Sequence, residues 1–265
     1  MDIYKVTEGN RLAWDETATK HREQPQWEKL KSGFSNPAFS TFDKTITDVL
    51  TELPIQGKSV VQIGCNNGRE LLSAMALGAN AGLGIDQSGK FIEQANELTR
   101  ISGRDCNYIH ANVYDLPASV PTDFDVALIT IGVLNWMPDL AKFFSVIANL
   151  LGASGKLVIY ETHPFMEMFE PTAKNPYELH NSYFSTDPYI LEETFVYDDA
   201  EPSEAPMSYW FIHRIGEIVN ATVHAGLDIK SLVEYPHSNR ELEYDVYVDQ
   251  TAQIPMCFSL VAQKA

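Results

Sequence analysis

Between residues 60 and 163 a small set of side chains stands at spacings that could do chemistry on a nucleoside-bearing ligand. The β-branched run Val60-Val61-Gln62-Ile63 ends in Gly64-Cys65-Asn66-Asn67-Gly68. Gly64 lets the backbone leave a strand sharply, and Gly68 lets a helix begin close to a ligand with no Cβ in the way. Asp86 closes the next apolar run, 86 − 64 = 22 residues on. There a carboxylate accepts two hydrogen bonds from a ribose diol, so the two features together imply a nucleoside. The dinucleotide fingerprint is G-x-G-x-x-G. Here the spacing is G-x-x-x-G with Asn66 where a second glycine would stand, which argues against a nicotinamide oxidoreductase.

A second set could serve a reacting group. Glu161 and His163 follow the fifth apolar run and are the candidate bases. A histidine before proline is also a common turn residue whose ring bonds the backbone, so both roles stay open. Asn135, Trp136 and His213 are pocket-shaping candidates; the indole of Trp136 equally suits packing beneath a strand. Trp14 is the amino-terminal candidate for ligand contact, with His21 behind it. Both lie on amphipathic segments that also read as packing faces. Tyr177, Tyr183, Phe184 and Tyr189 could line an acceptor pocket or fasten a loop.

These residues need rigid elements to aim them. Short β-branched runs ending at Ile63, Ile85, His110, Ile131 and Tyr160 alternate with helical periodicities over 69–77, 88–101 and 138–151. Strands that read as continuous apolar runs between helices mean a parallel sheet covered on both faces. Such a sheet binds ligands at the carboxyl ends of its strands, which is where the candidates lie. Residues 1–57 read as two helices. Residues 163–206 have no sustained period, as in a lid or binding loop. A helix over 208–225 and strands over 227–234 and 255–262 complete the chain.

The segment from Val60 to Gly68 resembles the first motif of class I S-adenosylmethionine-dependent methyltransferases. The resemblance continues through Leu83-Gly84-Ile85-Asp86-Gln87-Ser88, through His110-Ala111-Asn112-Val113-Tyr114-Asp115-Leu116-Pro117, and through the stretch from Thr130 to Leu140. A Trp-Asp-Glu element at Trp14, the His-Pro-Phe after the fifth strand, and the helix beginning His213-Arg214-Ile215-Gly216 make it similar to a small-molecule branch of that family. The resemblance implies a doubly wound, Rossmann-like, seven-stranded, mostly parallel sheet whose last strand is antiparallel, with amino-terminal helices and an insert after strand five. It implies one methyltransferase domain over 1–265: a helical cap 1–57, a cofactor core 58–162, a lid 163–207 and a carboxyl-terminal part 208–265.

It also implies S-adenosylmethionine as cofactor and S-adenosylhomocysteine as product. The backbone at Gly64 and Cys65 faces the methionine portion, with Asn66 and Gly68 completing the turn. Asp86 takes the ribose hydroxyls and Gln87 lies beside the adenine. Asn112 and the amide of Val113 read the adenine edge, and Thr130 with Ile131 flanks the methionine portion. The chain departs from the family pattern at Gln62, where an acidic residue is common, at Asn66 for glycine, and at Asn112 for aspartate. Those departures leave an alternative open: a non-catalytic protein that binds S-adenosylmethionine or S-adenosylhomocysteine.

Composition narrows the partners. Nineteen Lys and Arg against 36 Asp and Glu give a net charge of −17, which repels nucleic acid and anionic membrane surfaces. More than half of that charge falls in residues 163–213, with Lys174 as the sole base against ten acids. Glu192, Glu193, Asp198, Asp199, Glu201 and Glu204 cluster there, a field favouring a neutral or cationic acceptor. Residues 126–137 are the longest uncharged apolar-rich run, too short to span a bilayer. Three widely spaced cysteines suit neither a disulfide framework nor a metal site. A cytoplasmic monomer or homodimer acting on a small molecule is the resulting expectation.

Overall fold

The computed structural model describes residues 2–195 and 202–265. Asp198, Asp199 and Glu201 of the acidic cluster lie outside the described residues. Three helices come first, α1 (Ile3–Glu23), α2 (Pro25–Phe34) and α3 (Lys44–Glu52), one more than the sequence pattern indicated. The third is a nine-residue helix capped by the Asp43 side chain on the Ile46 amide, and its brevity hides its period. The core then alternates β1 (Ser59–Ile63), α4 (Arg69–Ala76), β2 (Ala81–Asp86), α5 (Gly89–Ser102), β3 (Cys106–His110), β4 (Phe124–Thr130), α6 (Leu140–Leu150) and β5 (Leu151–Thr162). Next come β6 (Tyr189–Glu193), β7 (Glu204–Trp210), α7 (Ile215–His224), β8 (Leu227–Tyr235) and β9 (Cys257–Lys264).

Seven strands form one sheet in the order β3-β2-β1-β4-β5-β9-β8. β1 to β5 pair in parallel, while β9 runs antiparallel to both neighbours. This is the Rossmann-like sheet expected from the sequence, with the reversed last strand. Alternate residues of its central strands bury in opposite layers. Val61, Ile63, Ala127, Ile129, Leu157 and Ile159 pack with Phe143, Ile147 and Ile218 of α6 and α7. Val60, Val126, Leu128, Val158 and Tyr160 pack with Leu30, Leu50 and Leu71 of α2, α3 and α4. The strand order reverses between β1 and β4, so the crevice above their carboxyl ends is the ligand position in such a sheet.

The insert is not irregular throughout. β6 and β7 pair as an antiparallel hairpin that lies on α1, so residues 208–210, expected in a helix, extend β7 instead. The sequence pattern missed it because half-exposed strands without a core of their own lack strong alternation. Asn10 of α1, fully buried, holds the hairpin: its Oδ1 accepts the Tyr209 amide at 2.7 Å. Its Nδ2 donates to the carbonyls of Tyr209 and Trp136, each at 3.3 Å. Helix, hairpin and the turn after β4 are thus joined at one amide side chain.

Candidate active site

The turn after β1 has the backbone its glycines require. Gly64 sits at φ +64°, where an added Cβ would come 2.7 Å from Val133 Cγ2. Gly68 sits at φ +75° and caps α4; a Cβ there would run into the Tyr108 hydroxyl. Asn66 replaces the second glycine at φ +50°, a left-handed conformation that asparagine tolerates better than most residues. Its amide donates to Asp86 Oδ2 at 2.7 Å, and the Ser88 amide donates to Asp86 Oδ1 at 2.8 Å. Asp86 therefore grips the turn and the start of α5 while each oxygen keeps a further lone pair. Burial pushes its carboxyl up, against these two amides.

Beside it a cavity of about 270 Å³ is lined by Tyr4, Thr7, Glu8, Arg11, Gln87, His110 and Asn112. Helix α1 closes it: Asp15 Oδ1 accepts from the Ser88 hydroxyl at 2.7 Å, and Arg11 pairs with Asp15 at 2.7 Å. Gln87 stands at this cavity. The Asn112 side chain is more committed than expected. Its Nδ2 donates to Thr7 Oγ1 at 2.8 Å and its Oδ1 accepts the Tyr114 amide at 3.0 Å. It holds the cavity wall, and its Oδ1 keeps one further lone pair. Val113 is buried beside it, at the head of the turn that Asn112 caps.

At the end of β4, Thr130 is buried and turned away from the cavity. Its hydroxyl donates to Glu70 and accepts Gln62 Nε2 at 3.1 Å. The Ile131 amide donates to the Tyr160 carbonyl at 3.1 Å. Cys65 is buried at the turn, and burial raises its thiol well above the ordinary range. Burial also raises the Glu70 carboxyl, but Arg240 and Arg69 outweigh it and hold the group below its ordinary range.

The expected bases are both engaged. Glu161 Oε2 accepts the Gly132 amide at 2.5 Å and Oε1 the Leu134 amide at 3.1 Å. Burial pushes this carboxyl up to about 7, despite those amides. His163 accepts the Phe165 amide on Nδ1 at 3.0 Å, so Nε2 carries the proton toward Glu234 Oε1 at 2.9 Å. Burial lowers its pKa. His213 lies two residues before α7 rather than opening it, and its Nε2 donates to the Met137 carbonyl at 2.8 Å. Tyr183 accepts the Ile215 amide at 3.2 Å and so caps α7.

Trp14, Trp136, Phe195 and Trp210 meet at centroid distances of 4.6 to 5.3 Å. These rings join α1, the turn after β4 and the hairpin. Asn135 is fixed by its Nδ2 to the Phe211 carbonyl at 2.8 Å and reaches Glu167 Oε1 at 3.4 Å. Glu167 also accepts Trp210 Nε1 at 2.9 Å, and burial pushes its carboxyl up to about 7. Sequence reading missed Glu167, Glu70 and Arg240.

Residues 61–159 match the family model described as a methyltransferase domain. Ribosomal protein L11 methyltransferase of Klebsiella pneumoniae (strain 342) is 32% identical over 108 residues, covering 41% of this chain and 37% of that protein. Over residues 61–159 the chain carries a methyltransferase domain, and it shares its fold with S-adenosylmethionine-dependent methyltransferases. S-adenosylmethionine is the cofactor class named for the solved structures that share this fold. The chain spans less than half the length of the curated relatives it matches first.

Two solved structures share the fold. A putative S-adenosylmethionine-dependent methyltransferase from Listeria monocytogenes has a TM-score of 0.58 at 18% identity, covering 84% of this chain and all of that one. Geranyl diphosphate C-methyltransferase from Streptomyces coelicolor A3(2), solved with geranyl diphosphate and S-adenosylhomocysteine, has 0.56 at 13%, covering 83% and 79%. The donor and acceptor set fits the methyltransferase cofactor: a carboxylate at Asp86 with lone pairs beyond its two amides, glycine backbone where a Cβ would clash, and a cavity at Gln87. Among the described residues no helix is long and apolar enough to cross a membrane.

Proposed function

We propose that this chain transfers the methyl group of S-adenosylmethionine to an oxygen, nitrogen or carbon of a small-molecule acceptor. The observation that carries the reading is Asp86, clamped by two backbone amides between a left-handed glycine turn and a cavity of about 270 Å³. When bound, the cofactor supplies a methyl group made electrophilic by a positive sulfur. The protein's own work is then to hold the partners in line and exclude water. In this reading Asp86 takes the ribose hydroxyls, Gln87, Asn112 and Val113 border the adenine, and Gly64, Cys65, Thr130 and Ile131 border the methionine portion. Helix α1 and the four-ring cluster roof the site.

That roof supports a small acceptor. The ring cluster and Asn135 bind α1, the hairpin and the turn after β4 to one another, a packed cover suited to a small acceptor rather than a folded protein. The relatives span both acceptor kinds by name, a ribosomal protein and geranyl diphosphate. For an acceptor that arrives protonated, Glu167 is our candidate base. A carboxyl held near neutral pH balances readiness to accept a proton against readiness to release it. The exposed Glu192, Glu193 and Glu204 of the hairpin favour a neutral or cationic acceptor. A cytoplasmic location accords with three free, buried cysteines.

Native mass spectrometry of the purified protein should find S-adenosylmethionine or S-adenosylhomocysteine carried along, and a screen of metabolite classes should yield a methylated product. A protein that binds neither in calorimetry would overturn the reading. The non-catalytic alternative draws on one observation: both oxygens of Glu161 and both ring nitrogens of His163 are engaged within the protein. Turnover with any acceptor removes that alternative.

A further inference from the structure

The seven-stranded sheet has two outer strands, and they are finished differently. On β3 the exposed residues are polar, Asn107 and His110. On β8, which pairs with β9 alone among the described residues, positions 230–234 are all exposed. Leu232 and Val233 there are 38% and 41% exposed. Helix α7 packs on β8 and adds exposed Val223. An outer strand offers a row of unpaired N–H and C=O groups that a further strand can join, and exposed apolar side chains on it favour such a partner. The chain has a net charge of −17, yet residues 229–233 carry no acid.

Lys230 and Glu234 stand two residues either side of Leu232. A bulge between Ile229 and Ser231 leaves Lys230 with no opposite residue on β9. A bulge and a lysine are ordinary guards of an edge, but this lysine has its complement on the same strand. When two copies of β8 run antiparallel with Leu232 opposite Leu232, Lys230 of each copy lies opposite Glu234 of the other. The edge is then complementary to itself at two places. Centring the pairing on Ser231 instead sets Asp228 opposite Glu234, a like-charge pair that destabilises a sheet. Centring it on Val233 leaves Lys230 opposite Pro236 and Glu234 opposite Leu232, with neither charge matched. Both charged side chains are half-exposed and free to change partner. The ion pair of Lys230 with Asp228 is 3.7 Å long, and Glu234 meets His163 through Oε1 alone.

We propose that β8 is a dimer interface, through which the sheet continues, antiparallel about a two-fold axis at Leu232, into β8 of a second copy of this chain. On one face Leu232 packs on its own copy across the axis; on the other, Val233 of each copy lies opposite Ser231 of the other. The two Lys230–Glu234 pairs fix the register. A contact that is its own complement closes at two copies, so the joined edge does not propagate into fibres. Each Lys230 also comes to lie beside the carboxylate that holds His163.

Sedimentation of the intact chain up to about 100 μM should give twice its mass of 29.7 kDa. Lys230→Glu turns both pairs into like charges and should weaken the dimer at least about 10-fold. Leu232→Cys gives a direct readout, since Cys65, Cys106 and Cys257 are all buried. Opposite residues of an antiparallel pair lie about 4.5–5.5 Å apart at Cα, within reach of a disulfide, so mild oxidation should join the Leu232→Cys copies covalently. Asp228→Cys copies, four residues from the axis, would lie about 26 Å apart and should stay separate. A wild-type chain that sediments as a monomer, a Lys230→Glu dimer as tight as wild type, or equal cross-linking at 228 and 232 would each overturn the interface. Positions 228, 230 and 232 are exposed, so these variants keep the fold, and the wild-type mass decides without them.

Discussion

Asp86 and Glu161 are the same device at two strand ends. Each closes a parallel strand, and each offers its two oxygens to two backbone amides of neighbouring turns. In each, burial raises the carboxyl pKa. Yet Asp86 keeps partial exposure beside the cavity at Gln87, whereas Glu161 is 1% exposed. The difference lies in position in the sheet. β2 ends on the side of the crossover where α1 leaves a cavity, while β5 ends between β4 and β9 under the turn that Glu161 itself holds. A carboxylate with two amides is a clamp; spare lone pairs and an open side make it a ligand.

The comparison breaks most visibly at Asp86. Asp86→Ala should weaken S-adenosylhomocysteine about 100-fold or more in calorimetry, since it removes a charged acceptor and frees the turn. Unchanged affinity would mean that Asp86, like Glu161, is only a clamp. Because burial raises its carboxyl, affinity in the wild type should also fade on acidification at a higher pH than an ordinary aspartate would give.

Glu161→Gln should leave that affinity nearly intact and cost about 1–3 kcal/mol of stability, because the amide NH₂ meets one of the two donors. Its pH signature is distinct. With the folded pKa raised to about 7 from an ordinary 4.5, the stability Glu161 contributes is full below the ordinary value and lost as pH rises through about 7. The loss runs at up to about 1.4 kcal/mol per pH unit. Urea unfolding at about pH 5 and about pH 8 should show this slope in the wild type and a flatter one in Glu161→Gln.

Asn10→Ala separates roof from clamp. It removes the partner of three backbone groups, one buried and two partly buried, and should cost about 1–3 kcal/mol in thermal or urea unfolding, with a larger effect on acceptor KM than on S-adenosylhomocysteine affinity. Equal stability would show that the ring cluster alone carries the roof. Lys44→Ala sets the floor. Its pair with Asp48 at 2.5 Å joins side chains 86% and 54% exposed, and its loss should stay within about 0.5 kcal/mol.

Much of the site was legible from spacing. Gly64 and Gly68 bracket a turn that needs left-handed backbone, and Asp86 ends the next strand, so local order alone brings them together across one β-α-β unit. Glu161 and His163 were legible as polar residues at a strand end, but not their state, because their partners Leu134 and Glu234 lie 27 and 71 residues away. Asn112 was expected to read the adenine edge, while its bond to Thr7 depends on how α1 docks. The β6–β7 hairpin was illegible because its pairing rests on α1 rather than on its own periodicity.

By itself the sequence determined the alternation of buried strands and helices, the glycine turn, the acid 22 residues beyond it and the match of residues 61–159 to a methyltransferase domain. Each follows from backbone conformation or from burial with period two or 3.6, which act over a few residues. Only the tertiary structure decided which of the clamped carboxylates keeps partial exposure, that Glu70 stands beside Gln62, and that Arg240 crosses the fold to meet Glu70. Those outcomes depend on desolvation and on hydrogen-bond geometry between segments up to 199 residues apart, and no local pattern encodes them.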